Sequence, residues 1–219
     1  MVKVKEIFTS IQGEGPFVGY KQLFIRLCGC NLNCKYCDTD FSSENAKNYT
    51  LEELLAISEK YNDCHSVSLT GGEPLLSIDF IKEFSKRCKL PIYLETNGVL
   101  YKQLSEVIDF IDYISADIKL TSVTGFESMW NEQDKFFEIA SKKKLFAKVV
   151  FDDFSTQEEI TKITDLCKKY NIELILQPRM QGRTSAIDSS FMQYFLDECL
   201  KHYHKVRLIP QVHKFINVI

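Results

Sequence analysis

Three cysteines of this chain, Cys30, Cys34 and Cys37, have the spacing C-x3-C-x2-C. They follow an apolar stretch, on a segment that begins at Gly29 and contains asparagine, a composition typical of a loop. Three thiolates can converge from such a loop on one metal centre. An iron-sulfur cubane bound by three cysteines keeps one iron open to another ligand, whereas electron-transfer clusters usually take four cysteines. The spacing therefore favours a 4Fe-4S cluster with one open iron.

Structural zinc is the alternative for this loop, with Cys28 as a fourth sulfur ligand. Only one residue separates Cys28 from Cys30, whereas structural zinc sites usually bind through two separated C-x2-4-C pairs. The spacing therefore favours the cluster, with Cys28 packing at the end of a strand, and zinc stays as the second hypothesis. The other cysteines are scattered through apolar segments and are expected to be buried thiols: Cys64, Cys88, Cys167 and Cys199.

A glycine pair with an acidic neighbour, the TGGEP segment of residues 70–74, follows the next strand-like stretch after the cysteines. Glycines let backbone groups approach a ligand closely, and the Glu73 carboxylate can accept a hydrogen bond from an ammonium group. An ordinary glycine turn would explain the two glycines but not the carboxylate. We therefore interpret this segment as a second part of a binding site.

The elements that must position these residues alternate between strand and helix patterns along most of the chain. Such alternation predicts an α/β fold with a mostly parallel sheet, here an incomplete (β/α) barrel formed by one domain over residues 1–219. Strands are expected at residues 2–8, 22–27, 66–70, 91–95, 113–117, 145–151, 172–176 and 206–209. Helices are expected at residues 51–60, 78–89, 101–110, 126–142, 155–170 and 189–202.

Two of these helices begin with the sequence signature of a capping box, Thr50 with Glu53 and Ser155 with Glu158. In a (β/α) barrel, the loops that follow the strands meet at one mouth. The polar segments that follow strands here are TGGEP, ETNG, ADIK and QPRMQG. We therefore expect these four segments to line one cavity.

The net charge and the apolar stretches of the chain disfavour nucleic acids and membranes as binding partners. The formal net charge is -3 and no broad basic pattern is present, so direct binding of DNA or RNA is disfavoured. No stretch approaches the ~20 apolar residues of a membrane helix, and the first residues lack the apolar core of a secretion signal. We therefore expect a globular cytosolic protein.

With its C-x3-C-x2-C loop followed by GGEP, the chain resembles the radical S-adenosylmethionine superfamily. The resemblance implies that S-adenosylmethionine binds the open iron and is cleaved reductively to a 5'-deoxyadenosyl radical, which abstracts a hydrogen atom from the substrate. It also implies an electron donor of the flavodoxin or ferredoxin type.

Further segments resemble the 7-carboxy-7-deazaguanine synthase family: IQGEG at residues 11–15, RLCGCNL at 26–32, CDT at 37–39 and QVHK at 211–214. This resemblance implies a homodimer that converts 6-carboxy-5,6,7,8-tetrahydropterin to 7-carboxy-7-deazaguanine with loss of ammonia. An activase that forms a glycyl radical on a partner protein shares the cysteine motif, but it needs no pterin pocket. A non-catalytic iron-sulfur or zinc protein is the third hypothesis, and GGEP disfavours it.

The resemblance also implies substrate contacts. A flat, polar pterin requires donors and acceptors in its plane, which the backbone and side chains of the IQGEG segment would supply. Arg26 suits the substrate carboxylate, with a surface arginine at a strand end as the alternative. His213 is either a substrate donor or a core histidine. The expected substrate contacts are Ile11, Gln12, Gly13, Glu14, Arg26, Thr70 and His213.

Thr39 is expected to bind Mg2+, because in this family the residue after C-x2-C-D supplies a hydroxyl to that ion, and Mg2+ prefers hard oxygen ligands. A cap or turn residue is the alternative. Residues 115–119 read SADIK where many members have a compact S-P-K, so a cofactor contact from this segment stays open. No side chain is assigned as an acid or base. The expected contacts with S-adenosylmethionine are Tyr36, Cys37, Asp38, Gly72, Glu73, Ser115, Asp117, Lys119, Gln177, Pro178, Arg179 and Met180.

Overall fold

The computed structural model describes residues 1–218, whose strands form one large sheet and a small hairpin. The terminal carboxylate of Ile219, to which no substrate contact is assigned because the chain departs from the family after Lys214, lies outside the described residues. The strands are β1 Val2–Ile11, β2 Lys21–Leu27, β3 Lys47–Tyr49, β4 Ser66–Gly71, β5 Ile92–Thr96, β6 Tyr113–Ile118, β7 Lys144–Phe151, β8 Glu173–Pro178, β9 Met180–Gln181, β10 Thr184–Ser185 and β11 Val206–Leu208.

The large sheet has nine strands among the described residues, in the order β11-β8-β7-β6-β5-β4-β2-β1-β3. Every neighbouring pair from β2 to β11 is parallel, whereas β1 pairs antiparallel with both β2 and β3. The sheet ends at β3 and β11 and does not close into a barrel. The expected α/β fold with a mostly parallel sheet is confirmed.

The helices are α1 Leu51–Lys60, α2 Ile78–Arg87, α3 Tyr101–Val107, α4 Thr121–Thr124, α5 Trp130–Ala140, α6 Gln157–Tyr170, α7 Ser189–His202 and α8 Val212–Ile216. The longer ones contact each other in chain order, from α1 through α2, α3, α5 and α6 to α7. The bounds expected for α1 and α7 are confirmed. The helix expected from residue 126 begins later, because Gly125 ends α4 with a φ of 83° and Ser128 is held by Thr121.

The two expected capping boxes had different outcomes. Thr50 and Glu53 form theirs at the start of α1, as expected. The pairing of Ser155 with Glu158 is wrong, because α6 begins one residue later with Thr156 and Glu159 as its capping box. The Ser155 hydroxyl instead accepts a hydrogen bond from the backbone of Asp152, which ties it to the preceding turn.

The two faces of the sheet differ in chemistry, because strand side chains alternate between them. The face that packs against the helices is apolar, and Leu94, Ile114 and Val149 are fully buried there. On the other face, aromatic residues near the amino ends of the strands are followed by polar residues near the carboxyl ends. These series are Tyr93 then Glu95 on β5, Tyr113 then Ser115 and Asp117 on β6, and Phe146 then Lys148 on β7.

Phe17 covers the aromatic end of this face. Its ring centroid lies 5.4 Å from that of Tyr93 and 4.8 Å from that of Tyr113. It follows Gly15, which has a φ of 64°, and a Cβ there would lie 2.4 Å from the Phe146 ring. The β1–β2 loop therefore covers the aromatic residues near the amino ends of these strands.

Some elements were not expected from the sequence. Strand β3 is too short to show an alternating pattern, and the β9–β10 hairpin turns at Gly182, whose φ is 60°. Of the four scattered cysteines, Cys88 is partly exposed and the other three are buried, as expected. No helix in residues 1–218 is long and apolar enough to cross a membrane.

Candidate active site

A cavity of about 520 Å³ opens at the carboxyl ends of the parallel strands. The four polar segments expected to meet there all contribute to its wall, together with the β1–β2 loop and α8. The residues assigned from the sequence that line it are Ile11, Gln12, Gly13, Glu14, Arg26, Tyr36, Cys37, Asp38, Thr39, Thr70, Gly72, Ser115, Asp117, Lys119, Gln177 and His213. The structure thus brings most of the assigned residues into one place, while their individual roles stay predictions.

The cysteine loop leaves β2 and is anchored by backbone contacts at both ends. Gly29 donates to the Phe41 carbonyl (2.8 Å), and Lys35 donates to the Thr124 carbonyl (3.2 Å). Burial raises the pKa of the Cys30 and Cys34 thiols, so a metal that binds them must displace their protons. The loop is therefore held in place from two neighbouring segments.

The donor chemistry of this loop fits a cubane. Among residues 1–218, no three His, Cys, Asp or Glu side chains converge tightly enough to hold a single metal ion. A cubane does not require such convergence, because each cysteine binds a different iron atom. The three thiols are half-buried or exposed, and Cys37 reaches the cavity.

Gly72 allows the GGEP segment to lie against the cysteine loop. A Cβ on Gly72 would lie 2.2 Å from the Gly29 carbonyl oxygen and 2.8 Å from the Cys30 Cβ. Glu73 adds a backbone hydrogen bond to the same Gly29 carbonyl (2.9 Å). Only glycine permits this approach, so these two segments form one wall.

The Glu73 side chain does not line the cavity, although a contact with S-adenosylmethionine is expected for it from the sequence. It is 1% exposed, and its carboxylate accepts from the backbone of Leu75 and Asn97 and from the Thr96 hydroxyl. Burial raises its pKa to about 7. Asn97 in turn donates to Asn31 of the cysteine loop (2.8 Å). Glu73 therefore connects the end of β5 to the cysteine loop.

The SADIK segment presents an ion pair to the cavity. Lys119 Nζ lies 2.7 Å from Asp117 and donates to the Tyr36 hydroxyl at 3.0 Å. Burial would lower the pKa of Lys119, but Asp117, through its charge and hydrogen bond, and the nearby Tyr36 and Cys34 together outweigh burial, and the pKa is raised. Ser115 lies two residues before Asp117 on the same face of β6 and also lines the cavity. Where many family members have a compact S-P-K, this chain therefore has a longer segment whose buried Lys119 pairs with Asp117 of the same segment.

The QPRM segment at the end of β8 is divided between the cavity and its surroundings. Gln177 lines the cavity, and its buried Oε1 has no hydrogen-bond partner. Pro178, Arg179 and Met180 do not line it, and Arg179 Nε lies 3.1 Å from the Asp152 carboxylate. Gln177 is therefore the member of this segment with an acceptor free for a ligand.

An ion pair lies at the centre of the cavity between Glu14 and Lys148. Gln211 also donates to Glu14 (2.7 Å), and Lys148 Nζ lies 3.2 Å from Asp117. Burial would raise the pKa of Glu14, but Lys148 outweighs burial and the pKa is lowered. The charges of Asp117 and Glu14 likewise raise the pKa of Lys148 against the effect of burial. Both groups are therefore ionised at neutral pH.

Gln12 orders the floor of the cavity. It is 3% exposed, and its amide nitrogen donates to Gln22 (3.0 Å) and to Glu95 (2.9 Å). Its amide oxygen accepts from the backbone of Glu14 (3.0 Å), and Thr70 donates to the second oxygen of Glu95 (2.8 Å). The expected substrate residues Gln12 and Thr70 thus hold Glu95 in a fixed orientation.

Arg26 lies at the rim, where its Nε is 2.9 Å from Glu6 and its guanidinium stacks 5.7 Å from the centroid of Phe8. Phe8 is itself stacked on Phe24 at 5.1 Å. All four residues line the cavity. Arg26 is therefore a partly buried cavity residue, and the alternative of a surface arginine is not supported by its position.

The carboxyl-terminal helix covers one side of the cavity. Val212 donates to the Gly13 carbonyl (2.9 Å), and a Cβ on Gly13 would lie 2.4 Å from His213 Nδ1. Lys214 Nζ lies 2.7 Å from the Asp38 carboxylate. Burial lowers the pKa of His213. His213 is half-buried at the cavity wall, a position compatible with a substrate donor.

Thr39 lines the cavity between two ion-paired aspartates. Lys214 lies against Asp38, and Lys5 of β1 lies 2.5 Å from Asp40. Lys5 also donates to the Glu44 carbonyl (2.8 Å). The loop on both sides of Thr39 is therefore tied to other segments, which fixes the position of its hydroxyl.

Sequence reasoning did not identify every cavity residue. Lys148, Glu95, Asn97 and Gln211 all line the cavity and were not assigned. The signal for Lys148 was its place on the same face of β7 as Phe146 and Val150. The signal for the other three was their position within segments already singled out.

Comparison with known proteins agrees with this geometry. Residues 24–176 match the model of the Radical SAM superfamily. A 7-carboxy-7-deazaguanine synthase from Geobacter sulfurreducens is 35% identical, with 98% of this chain and 96% of that protein aligned. One from Archaeoglobus fulgidus is also 35% identical, with 97% of each chain aligned.

Solved structures show the same fold. The crystal structure of QueE from Escherichia coli matches with a TM-score of 0.65 at 21% identity, covering 97% of this chain and 94% of that one. An archaeal TYW1 matches with a TM-score of 0.52 at 14% identity, covering 83% of this chain and 72% of that one. The superfamily implies a 4Fe-4S cluster and S-adenosylmethionine as cofactors, and an electron donor. The chain is therefore an enzyme of the 7-carboxy-7-deazaguanine synthase family, within the radical S-adenosylmethionine superfamily.

Proposed function

We propose that this chain converts 6-carboxy-5,6,7,8-tetrahydropterin to 7-carboxy-7-deazaguanine with loss of ammonia, in the biosynthesis of 7-deazapurines such as queuosine. The observation that carries the proposal is one shared cavity, in which Cys37 and Thr39 of the cysteine loop lie with Glu14 and His213. A cluster held by the cysteine loop and a substrate held by Glu14 and His213 would therefore share one cavity. The family membership of the chain supports the same reaction.

In this proposal, Cys30, Cys34 and Cys37 hold the 4Fe-4S cluster. When bound there, the cluster and S-adenosylmethionine would supply the one-electron radical chemistry of the superfamily. Gly72 packs against the cysteine loop on this side of the cavity. The buried Gln177 Oε1 is free to accept a hydrogen bond from the cofactor. The other proposed cofactor contacts from the cavity wall are Tyr36, Asp38, Ser115, Asp117 and Lys119.

The remaining assigned cofactor residues act from behind the wall. Glu73 orients the cysteine loop through Asn97, as its hydrogen bonds indicate. Pro178, Arg179 and Met180 continue β8 past Gln177 and support its position. Glu73, Pro178, Arg179 and Met180 stay proposed contacts with S-adenosylmethionine from this side of the cavity.

On the substrate side, the ionised Glu14 accepts hydrogen bonds from N–H groups of the pterin ring. The backbone of Ile11 and Gly13 borders the same space, and Gln12 and Thr70 orient Glu95 toward it. Arg26 binds the substrate carboxylate from the rim, and His213 donates to the substrate. Each group thus has a partner of complementary chemistry on a pterin.

We also propose that the Thr39 hydroxyl binds Mg2+ together with substrate and water, since this ion is usually bound by few protein ligands and several waters. Neighbouring Asp38 and Asp40 are neutralised by lysines. Magnesium is therefore held largely by Thr39 and substrate oxygens. A homodimer, a flavodoxin or ferredoxin donor and a cytosolic location complete the proposal, and family resemblance and composition support them.

The test is anaerobic incubation of the reconstituted protein with reductant, S-adenosylmethionine, Mg2+ and the pterin, followed by mass spectrometry of the product. We expect 7-carboxy-7-deazaguanine from the wild type and none from the Cys34→Ser control. An inactive wild type beside an active control enzyme would contradict the proposal. A protein radical that appears on an added glycyl-radical partner would favour the activase alternative.

A further inference from the structure

Lys148 is a buried ammonium group that the sequence analysis did not assign. It extends from the middle of β7 into the cavity, and 12% of its side chain is exposed. Its neighbours on the same face of the strand are Phe146 and Val150, which are buried. A charge surrounded in this way costs free energy unless carboxylates compensate it.

The compensating carboxylates belong to two distant segments. Glu14, in the β1–β2 loop, forms the short contact with Lys148, while Asp117 on β6 lies 3.2 Å away. Asp117 has a closer cation in Lys119, at 2.7 Å. Within residues 1–218, Lys148 is the one cation that forms a salt bridge with Glu14, and the other side-chain partner of Glu14 is the neutral amide of Gln211. The loss of Lys148 would therefore affect Glu14 more than Asp117.

Stability alone does not explain this arrangement. Replacing a buried ion pair by apolar residues is often neutral or stabilising, so a buried pair is weak evidence for a role in folding. Here the pair opens into the cavity and includes a carboxylate of the IQGEG segment. Lys148 is therefore placed to set the charge and the direction of Glu14, a carboxylate that can bind a ligand.

We infer that Lys148 is a positioning residue, which holds Glu14 as an ionised acceptor directed at the ring N–H groups of the substrate. This inference rests on the proposed function, because it names the pterin as the ligand of Glu14. An ionised carboxylate accepts through both oxygens, whereas a protonated one donates from one of them. Without Lys148, burial would favour the protonated form of Glu14. The O–H donor of its carboxyl group would then face the N–H donors of the substrate ring.

The inference can be tested with Lys148→Met, which keeps the length of the side chain and removes its charge. Lys144→Met is the matched control, since Lys144 is exposed on the same strand. We expect Lys148→Met to raise KM for the pterin about 100-fold, while KM for S-adenosylmethionine and the iron content stay at wild-type values. Lys148→Arg, which keeps the charge, should recover most of the loss. The control should match the wild type.

The double variant Glu14→Gln/Lys148→Met covers the case in which Lys148→Met does not fold, because it removes the unpaired carboxylate together with the ammonium. We expect its KM for the pterin to equal that of Glu14→Gln alone. A further rise on adding Lys148→Met would show that Lys148 acts independently of Glu14 and would overturn the inference.

Other outcomes separate the inference from the proposed function. If the wild type makes the deazapurine and Lys148→Met has an unchanged KM for the pterin, the inference fails alone. Equal losses for the pterin, S-adenosylmethionine and iron would indicate a general structural role and would also overturn it. If the wild type makes no deazapurine beside an active control enzyme, the proposed function fails and the inference fails with it.

Discussion

Two glycines, Gly72 and Gly13, belong to different walls of the cavity. Replacing Gly72 by alanine should impair the cluster side of the site, and replacing Gly13 by alanine should impair the substrate side. Gly72 packs against the cysteine loop, whereas Gly13 packs against the carboxyl-terminal helix. Neither has a positive φ, so alanine causes no backbone strain at either position. The two substitutions therefore add the same methyl group and differ only in what that group meets.

The size of the effect follows from the contacts. The methyl group of Gly72→Ala would lie 2.2 Å from the Gly29 carbonyl oxygen, and that of Gly13→Ala would lie 2.4 Å from His213 Nδ1 and 2.6 Å from its backbone nitrogen. Both distances are well inside van der Waals contact, so the neighbouring segment must move. Overpacking of this kind costs about 1–3 kcal/mol, which corresponds to about 5- to 140-fold at about 1.4 kcal/mol per tenfold.

Two assays separate the halves: the rate of iron loss to a chelator under anaerobic conditions, and KM for the pterin. For Gly72→Ala we expect iron loss to accelerate about 5- to 140-fold. For Gly13→Ala we expect the wild-type rate of iron loss and a KM for the pterin raised by the same factor. Each variant is the control for the other.

The reasoning would be refuted if both variants lost iron at the same rate, or if Gly13→Ala had a wild-type KM. The first result would mean that the cysteine loop tolerates the displacement. The second would mean that the carboxyl-terminal helix does not contribute to the substrate side. Urea unfolding of both variants shows whether either loss comes from general destabilisation.

Three further predictions test other parts of the structure. Thr156→Ala should lower the free energy of unfolding by about 1 kcal/mol, since Thr156 caps α6, whereas Ser155→Ala should cost less; equal losses in urea unfolding would contradict the capping assignment. Burial lowers the pKa of His213, despite the opposing charges of Glu14 and Asp38 and in line with those of Lys214 and Lys148. The unfolded chain therefore takes up this proton first, so stability should fall as the pH drops below about 6.5. His213→Gln should remove that part of the pH dependence, and exposed His204→Gln should not; identical urea profiles for the two would refute the argument. Thr39→Ala should raise the Mg2+ concentration needed for half-maximal turnover while leaving the cluster absorbance intact, and an unchanged Mg2+ requirement would count against Thr39 as a ligand.

Much of the fold could be predicted because local patterns agree with it. Apolar periodicity and caps define α1 and α7, and strand patterns followed by polar loops indicate that those loops meet at one mouth. The cysteine spacing likewise defines its loop without reference to the rest of the chain. These features depend on residues close together in sequence.

The parts that could not be predicted depend on contacts between distant segments. Lys148 lies between Ala147 and Val149 in an apolar strand, where an isolated lysine normally indicates a solvent-facing position. The β1–β2 loop covers that face and brings Glu14 to Lys148, a contact between residues far apart in sequence. The pairing of Gln211 with Glu14 is likewise a product of the tertiary fold. Ser155 and Thr156 both satisfy the capping pattern, and the preceding turn decides between them.

The central claim is a ring contraction that releases one ammonia per deazapurine. The most direct measurement quantifies 7-carboxy-7-deazaguanine and ammonia in the same anaerobic reaction of the reconstituted wild type with the carboxytetrahydropterin. We expect equal amounts of 7-carboxy-7-deazaguanine and ammonia, and we expect the formation of both to depend on S-adenosylmethionine and reductant. Formation of 5'-deoxyadenosine with neither product would contradict it.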